Sequence, residues 1–143
     1  MDLLKDISLL PVCKNHIPEI IDLLQSVSKY KPSYSDALEK WDNFSNQNNS
    51  YALVIIYDNK VVGYGSIFFV TKIRGGKMAQ IDEMVIHPDY KCQGLGRLLL
   101  KTLCDIAIKE KSYKVSLSCH ENMIPFYKKN NFVQKLSYLN RLL

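Results

Sequence analysis

The sequence has no long apolar run and few residues of the kinds that bind metals or form disulfides. None of its apolar stretches reaches the ~20 residues that a membrane-spanning helix requires. Acids and a lysine stand near the start, where a secretory signal would be apolar. The four cysteines include no CxxC pair, and the three histidines lack metal-ligand spacing. We therefore expect a cytoplasmic protein with reduced thiols, no metal and no membrane partner.

Complete versions of two common phosphate-binding motifs are also absent. A dinucleotide motif would require a third glycine three positions after Gly96, where Leu99 stands. A P-loop would require a Gly-Lys-Ser/Thr run, which does not occur. These absences exclude the two usual glycine-rich nucleotide sites and leave Gly94 and Gly96 as an isolated Gly-x-Gly.

The size and charge of the chain suit a single domain, residues 1–143, with an anionic ligand. A chain of 143 residues with 47% hydrophobic residues can bury a substantial core. The net charge is +5, but the basic residues are spread along the chain rather than gathered in an arm or stripe. Nucleic-acid binding is therefore allowed but not indicated, and we expect no nucleic-acid partner.

The spacing of apolar residues predicts a mixed α/β fold. Apolar and β-branched runs predict six strands, over residues 7–12, 51–57, 61–70, 78–87, 113–119 and 133–139. Helical spacing predicts four helices, over residues 15–27, 35–44, 95–110 and 123–130. Asp58 and Asn59 mark a hairpin, and either Ser33 or Ser35 can cap the second helix.

The most informative stretch is residues 80–100, which reads as a strand, a tight basic loop and the start of an amphipathic helix. A helix N-terminus presents unpaired backbone N–H groups at the positive end of its dipole, which favours phosphate. Gly94 and Gly96 lack a Cβ, so an anion can approach their amides. The loop predicts an anion site, although glycine before a helix is also common in ordinary turns.

The loop also resembles a known family motif. Residues 90–96 are similar to motif A of the GCN5-related N-acetyltransferases (the GNAT superfamily), Gln/Arg-x-x-Gly-x-Gly/Ala, with Lys91 at the Gln/Arg position. The resemblance implies the GNAT fold: a central, mostly antiparallel, twisted sheet of about six to seven strands flanked by about four helices. It also implies acetyl-CoA as co-substrate, with its pyrophosphate held by this loop.

Further motifs narrow the resemblance to the glucosamine-6-phosphate N-acetyltransferases. They are Ile-Asp-Glu-Met-Val-Ile at residues 81–86, Tyr-Lys-Val-x-Leu-x-Cys at 113–119 and Phe-Tyr-Lys-Lys-x-x-Phe at 126–132. The resemblance is continuous over about residues 72–132. It implies an acyltransferase of UDP-GlcNAc biosynthesis, a homodimer that acetylates glucosamine 6-phosphate by direct attack of the amine on the thioester.

Carried over position by position, the resemblance assigns the coenzyme contacts and the general acid. The backbone of Met84, Val85 and Ile86 would pair with the pantetheine arm. Tyr127 would protonate the departing thiolate, which is reasonable because a phenol of pKa about 10 faces a thiol of about 8.5. The predicted coenzyme-binding residues also include Lys91, Cys92, Gln93, Gly94, Leu95, Gly96, Arg97, Tyr127 itself and Lys129.

The resemblance also assigns the acceptor contacts. Asp82 and Glu83 are neighbours on a strand, so we expect them to face opposite sides; both are candidates for substrate binding, and Glu83 is the candidate for a catalytic role. Ser118 stands where relatives carry an acid that contacts the amino sugar, which puts the substrate in question. The remaining candidates are Lys72, Ile73 and Arg74, with Tyr113 and Lys114 donated across a dimer interface.

Other interpretations of the sequence stay open. The chain could be a GNAT enzyme for another amine, such as a peptide or polyamine, or a catalytically silent acyl-CoA-binding module. A basic nucleic-acid-binding domain is a further alternative. A nucleophile made of Cys92 and His87 is disfavoured, because Cys92 lies in the pyrophosphate loop and no third orienting residue is evident.

Overall fold

A five-stranded sheet forms the centre of the computed structural model, which describes residues 2–143. The strands of the described chain are β1 (Ser8–Pro11), β2 (Ser50–Tyr57), β3 (Lys60–Thr71), β4 (Lys77–Ile86) and β5 (Lys114–Leu117). The helices are α1 (Ile17–Leu24), α2 (Tyr34–Ser45), α3 (Leu95–Lys109) and α4 (Ile124–Lys129). The predicted mixed α/β fold with about four helices is therefore confirmed.

The strands lie in the sheet in chain order. Each neighbour is antiparallel except β5, which pairs parallel to β4 after the crossover through α3. The hairpin between β2 and β3 turns on Asp58 and Asn59, with φ of 49° and 59°. Asp and Asn tolerate this left-handed conformation, which tight hairpins of the primed type require. The predicted hairpin is confirmed.

The sheet buries a hydrophobic core on each face. On one face α3 packs Leu99 and Leu103, both fully buried, against β3 and β4. On the other face α1 and α2 pack Ile20 and Ala37 against β2 and β3. The Ser33 hydroxyl caps α2 by accepting from the Asp36 N–H at 3.2 Å. The C-terminal end of β4 lies between the two helical layers, and the candidate site is located there.

The prediction of six to seven strands is wrong, because residues 133–143 form no strand. Their sequence has strand-like apolar residues, but a strand requires a neighbour for its hydrogen bonds. Within the described chain this segment meets none. Its apolar side chains lie in solvent instead: Val133, Leu136 and Leu139 are 74%, 92% and 90% exposed.

The longest helix, α3, has 15 residues. Between residues 2 and 143, no helix is both long and apolar enough to cross a bilayer.

Candidate active site

The first feature of the site is an open edge of β4. β3 pairs with β4 along almost its whole length, whereas β5 pairs only with Met78–Ile81 and then ends at Leu117. Beyond Ile81, β4 has no strand neighbour on that side in the described part of the chain. Backbone N–H and C=O groups on an open edge can bind an extended ligand as if it were another strand. Met84, Val85 and Ile86 lie on this edge.

A β-bulge in β4 changes where its two acids point. The register of β3 with β4 shifts between Gly65 and Ile67, so that Ile81 and Met84 both pack on the α3 side of the sheet. Asp82 and Glu83 fit the extra residue of this bulge, and both line cavities that include Phe44 of α2. The prediction that these acids face opposite sides is therefore wrong, because strict alternation fails at a bulge.

The bulge places both carboxylates beside a tyrosine that sequence reasoning missed. Tyr64 and Ser66 alternate along β3 and face the same side as Asp82 and Glu83. Burial and the charge of Glu83 raise the pKa of the Tyr64 phenol far above its usual value, and Asp82 adds to the effect. The sequence signal for this pair is weak: Tyr64 and Ser66 are polar residues at i, i+2 on an otherwise apolar strand, and only the register with β4 shows that they face the two acids.

Burial also acts on Glu83. Loss of water around the carboxyl group raises its pKa, and the charge of Asp82 raises it further, while a hydrogen bond to Tyr64 acts in the opposite direction. A carboxyl group with a raised pKa is a stronger base when ionised. The predicted catalytic role of Glu83 is therefore chemically reasonable.

The loop before α3 has the geometry of an anion site. Cys92 and Gly94 both have left-handed backbones, with φ of 62° and 88°. Gly94 is the N-cap of α3, and none of the described side chains caps the helix there. The first amides of α3 therefore point outward without a protein partner. Lys91 and Arg97 are exposed on either side of this turn.

The predicted general acid lies next to this loop. The Tyr127 ring on α4 packs edge-on between Phe126 and Phe132, at centroid distances of 5.0 and 5.7 Å. Phe126 in turn packs on the first turn of α3, where a Cβ on Gly96 would lie 3.4 Å from its Cζ. Burial raises the pKa of Tyr127 to about 12, with a smaller contribution from Cys119. The phenol therefore stays protonated at neutral pH, as a proton donor must.

The remaining coenzyme and acceptor candidates near Tyr127 are exposed. Lys129 lies in the last turn of α4, and Ser118 follows the end of β5. Their predicted roles stay predictions.

The His87 ring accepts a hydrogen bond from the Asp89 N–H at 3.1 Å, which holds it in a local turn before the loop. This bond gives His87 a structural task and removes support from a nucleophile made with Cys92.

The predicted phosphate-binding residues come together, but far from Glu83. The Lys72 ammonium donates to the Tyr113 hydroxyl at 2.9 Å, and the Lys72 and Lys114 ammonium groups lie 5.5 and 5.6 Å from the Tyr113 ring centre. The Lys72 hydrogen bond and the charge of Lys114 lower the pKa of Tyr113. Arg74 lies nearby in the β3–β4 turn.

The position of this basic cluster follows from the sheet. The Tyr113 N–H donates to the Lys77 carbonyl at 2.9 Å, which places the cluster at the start of β4. Glu83 is six residues further along the strand, so a rise of about 3.3 Å per residue separates them by roughly 20 Å. The structure therefore does not bring these cations to the site of the same chain. Ile73, also predicted as a contact, is fully exposed at the turn.

Two cavities diverge from the paired acids. Asp82 lines a cavity of about 220 Å³ whose other polar groups come from Gln47, Asn49, Ser50 and Ser66. Glu83 lines a largely apolar cavity of about 390 Å³ between α1, α2 and the sheet. Phe44 contributes to both. A polar cavity and an apolar cavity therefore adjoin each other at Asp82 and Glu83, and either could hold the acetyl acceptor.

An open strand edge, an anion-binding helix N-terminus and a protonated phenol together define the site of an acyltransferase. Residues 17–132 match the model of the Acetyltransferase (GNAT) family. The chain belongs to this family.

Similar curated proteins share one name. The chain is 29% identical over 119 residues to glucosamine 6-phosphate N-acetyltransferase 1 of Dictyostelium discoideum, a match that covers 80% of this chain and 76% of that protein. It is 31% identical over 87 residues to glucosamine 6-phosphate N-acetyltransferase of Schizosaccharomyces pombe, which covers 57% of this chain and 78% of that one.

Solved structures agree with the fold. A Trypanosoma brucei acetyltransferase superposes with a TM-score of 0.88 at 24% identity, covering 96% of this chain and 100% of that one. Glucosamine-6-phosphate N-acetyltransferase from Arabidopsis thaliana superposes with a TM-score of 0.88 at 19% identity, covering 95% and 97% of the two chains. At these identities the superpositions establish the GNAT fold.

Proposed function

We propose that this chain transfers the acetyl group of acetyl-CoA to the amine of glucosamine 6-phosphate, by direct attack and without a covalent intermediate. The observation that carries the proposal is the convergence of three elements: the open edge at Met84 to Ile86, the amides at the start of α3, and the Tyr127 phenol. The names of the curated relatives support the choice of acceptor.

The donor side has a group for each part of acetyl-CoA. The amides from Gly94 onward and the charges of Lys91 and Arg97 suit a pyrophosphate. The backbone of β4 beyond Ile81 suits the amides of the pantetheine arm. A backbone N–H near Met84 can stabilise the oxyanion that forms when the amine attacks the carbonyl.

The acceptor side provides a base and a polar cavity. An incoming ammonium group must lose a proton before it attacks, and Glu83, with its raised pKa, can accept it. The cavity beside Asp82 has amide and hydroxyl groups that can bind the hydroxyls of a sugar ring. This polar lining favours an amino sugar as the acceptor in that cavity.

The phosphate of the sugar needs cations, and we place them on a second copy of the chain. Lys72, Tyr113 and Lys114 lie too far from Glu83 of the same chain to share one hexose phosphate. The apolar side chains of residues 133–143 are exposed although their pattern is that of a strand. Both observations support a homodimer in which one protomer binds the phosphate for the site of its partner.

The acceptor assignment is tested by thiol release from acetyl-CoA over a panel of amines. We expect glucosamine 6-phosphate to have the highest kcat/KM and glucosamine to be about 10- to 100-fold poorer, because a charge-assisted hydrogen bond contributes about 1.5–3 kcal/mol. Lys72→Met should remove most of that difference, whereas Lys109→Met, an exposed lysine on α3, should not. A polyamine or peptide that surpasses glucosamine 6-phosphate would refute the assignment.

The shared site is tested by mixing two variants of low activity, assayed at a glucosamine 6-phosphate concentration below KM. Tyr127→Phe and Lys72→Met are co-refolded in equal amounts, so that about half of the dimers contain one of each. In such a dimer one site has both intact residues, so roughly a quarter of the wild-type activity should return. No recovery above the two separate variants, or a monomer by sedimentation, would contradict the dimer.

We further propose that the enzyme acts in the cytoplasm, as a step of UDP-GlcNAc biosynthesis. All four cysteines are free thiols in the described chain, which supports a reducing compartment. Fractionation of source cells, followed by the thiol-release assay on each fraction, tests the location.

A further inference from the structure

The apolar cavity beside Glu83 has no role in binding a sugar phosphate. Its volume of about 390 Å³ lies in the range of small-molecule sites. Its walls include Ile20 and Leu24 of α1 and Ala37, Trp41 and Phe44 of α2, with Tyr64 of β3. A sugar ring would lose hydrogen bonds to water there and regain few of them, because most of these walls are hydrocarbon. We refer to this cavity as the apolar groove.

The charge of the apolar groove is negative where it meets the sheet. Asp36 and Lys40 are exposed one turn apart on α2, and their opposite charges together add no net charge to the groove. Glu83 forms no ion pair with any residue of the described chain. Asp82 adds a second negative charge beside it. The groove therefore suits a ligand with an apolar body and a cationic end.

The cationic end would lie beside the acyl-transfer position. Glu83 directly precedes Met84, whose backbone is on the open edge of β4, and consecutive Cα atoms are 3.8 Å apart. An amine paired with the Glu83 carboxylate is thus placed next to an acyl group on that edge. The groove opens toward the same reaction centre as the polar cavity beside Asp82, from the other side of Phe44.

We propose that the apolar groove binds apolar primary amines, such as arylalkylamines, as a second class of acetyl acceptor. The proposal rests on the donor site of the proposed function. The ammonium loses one proton to Glu83, which releases it to water. The nitrogen then forms the C–N bond as the C–S bond breaks. Sulfur leaves with the bonding pair as a thiolate that accepts a hydrogen bond from Tyr127, and the second amine proton passes through solvent to that thiolate.

Binding can be measured without any reaction, because Trp41 is the only tryptophan of the chain and lines the groove. The full-length protein is titrated with 2-phenylethylamine while the fluorescence of Trp41 is recorded. We expect a saturable change, with affinity about tenfold or more higher than for 2-phenylethanol, which lacks the charge that pairs with Glu83. Thiol release with acetyl-CoA and 2-phenylethylamine should accompany it.

Two variants fill the groove from different helices. Ala37→Leu enlarges a buried side chain of α2, and Leu24→Phe enlarges a half-buried one of α1. Each should weaken amine binding at least tenfold and leave glucosamine 6-phosphate turnover within about twofold. Ile108→Phe is the matched control, because it adds a ring at an exposed position of α3. If Ala37→Leu fails to fold by circular dichroism, Leu24→Phe decides.

The outcomes separate this proposal from the sugar assignment. Unchanged Trp41 fluorescence, or equal amine affinity in both filled variants and the wild type, would overturn the groove proposal even if glucosamine 6-phosphate is a good substrate. Saturable binding that both variants weaken, together with acetylation of the amine but not of the sugar, would support the groove and refute the sugar assignment.

Discussion

Replacement of Tyr127 by phenylalanine is the sharpest test of the chemistry. The change removes only the phenol oxygen, and the ring keeps its edge contacts with Phe126 and Phe132. The Phe132 N–H still donates to the carbonyl of residue 127, at 3.0 Å. We therefore expect the free energy of unfolding to change by less than about 1 kcal/mol.

The size of the kinetic effect follows from the raised pKa. A pKa of about 12 keeps the phenol protonated, but it also makes complete proton transfer to a thiolate of pKa about 8.5 uphill. Tyr127 then acts mainly as a hydrogen-bond donor to the developing thiolate. We expect kcat to fall at the low end of the range for general acids, about 100-fold, or about 2.7 kcal/mol of barrier.

The assay is thiol release at saturating acetyl-CoA and glucosamine 6-phosphate, with the affinity for acetyl-CoA measured by calorimetry. We expect the affinity to change little, because the pyrophosphate and pantetheine contacts are made elsewhere. Tyr51→Phe is the control, since that ring also makes an edge contact, with Phe69 at 6.0 Å, but lies away from the site. An unchanged kcat in a variant whose chemical step limits the rate would refute the role of Tyr127.

Three further predictions follow from other parts of the structure. As the pH decreases, kcat/KM should fall when Glu83 gains a proton, at a pH above the ordinary glutamate pKa of about 4.3. Glu83→Gln should remove this fall at low pH and lower kcat/KM about 100-fold. Gly94→Ala should cost about 1–2 kcal/mol by urea denaturation, because φ is 88° and the added Cβ, 3.5 Å from Leu4, causes no clash. Leu103→Ala, at a fully buried position, should cost about 2–5 kcal/mol, and a midpoint shift equivalent to less than 1 kcal/mol would contradict the packing described.

Local signals in the sequence predicted much of the fold. The helix predicted over residues 95–110 is α3, because its apolar stripe packs on the sheet as its spacing indicates. Asp58 and Asn59 specify their turn through their own backbone preferences. Asn131 follows the last helix with a φ of 71°, a left-handed conformation that asparagine tolerates at this position. These features depend on a few neighbouring residues, so no knowledge of distant contacts was needed.

Features that depend on pairing between distant segments could not be predicted in this way. The bulge at Asp82 and Glu83 arises from the register with β3, so alternation along β4 alone gave the wrong faces. The importance of Tyr64 follows from the same register. Residues 133–139 have the composition of a strand, but they pair with no strand edge in the described part of the chain. The resemblance assigned both Lys72 and Tyr113 to the sugar phosphate, and only the sheet shows that they contact each other and lie far from Glu83 of the same chain.

The early end of β5 affects the order in which the two substrates can bind. Where β4 loses its neighbour, the sheet has an open edge that both the α3 face and the α2 face adjoin. The coenzyme loop lies on the first face and the two acids on the second. Each substrate thus has its own entrance, so neither needs to depart before the other arrives, and the kinetics should follow a ternary-complex rather than a ping-pong pattern.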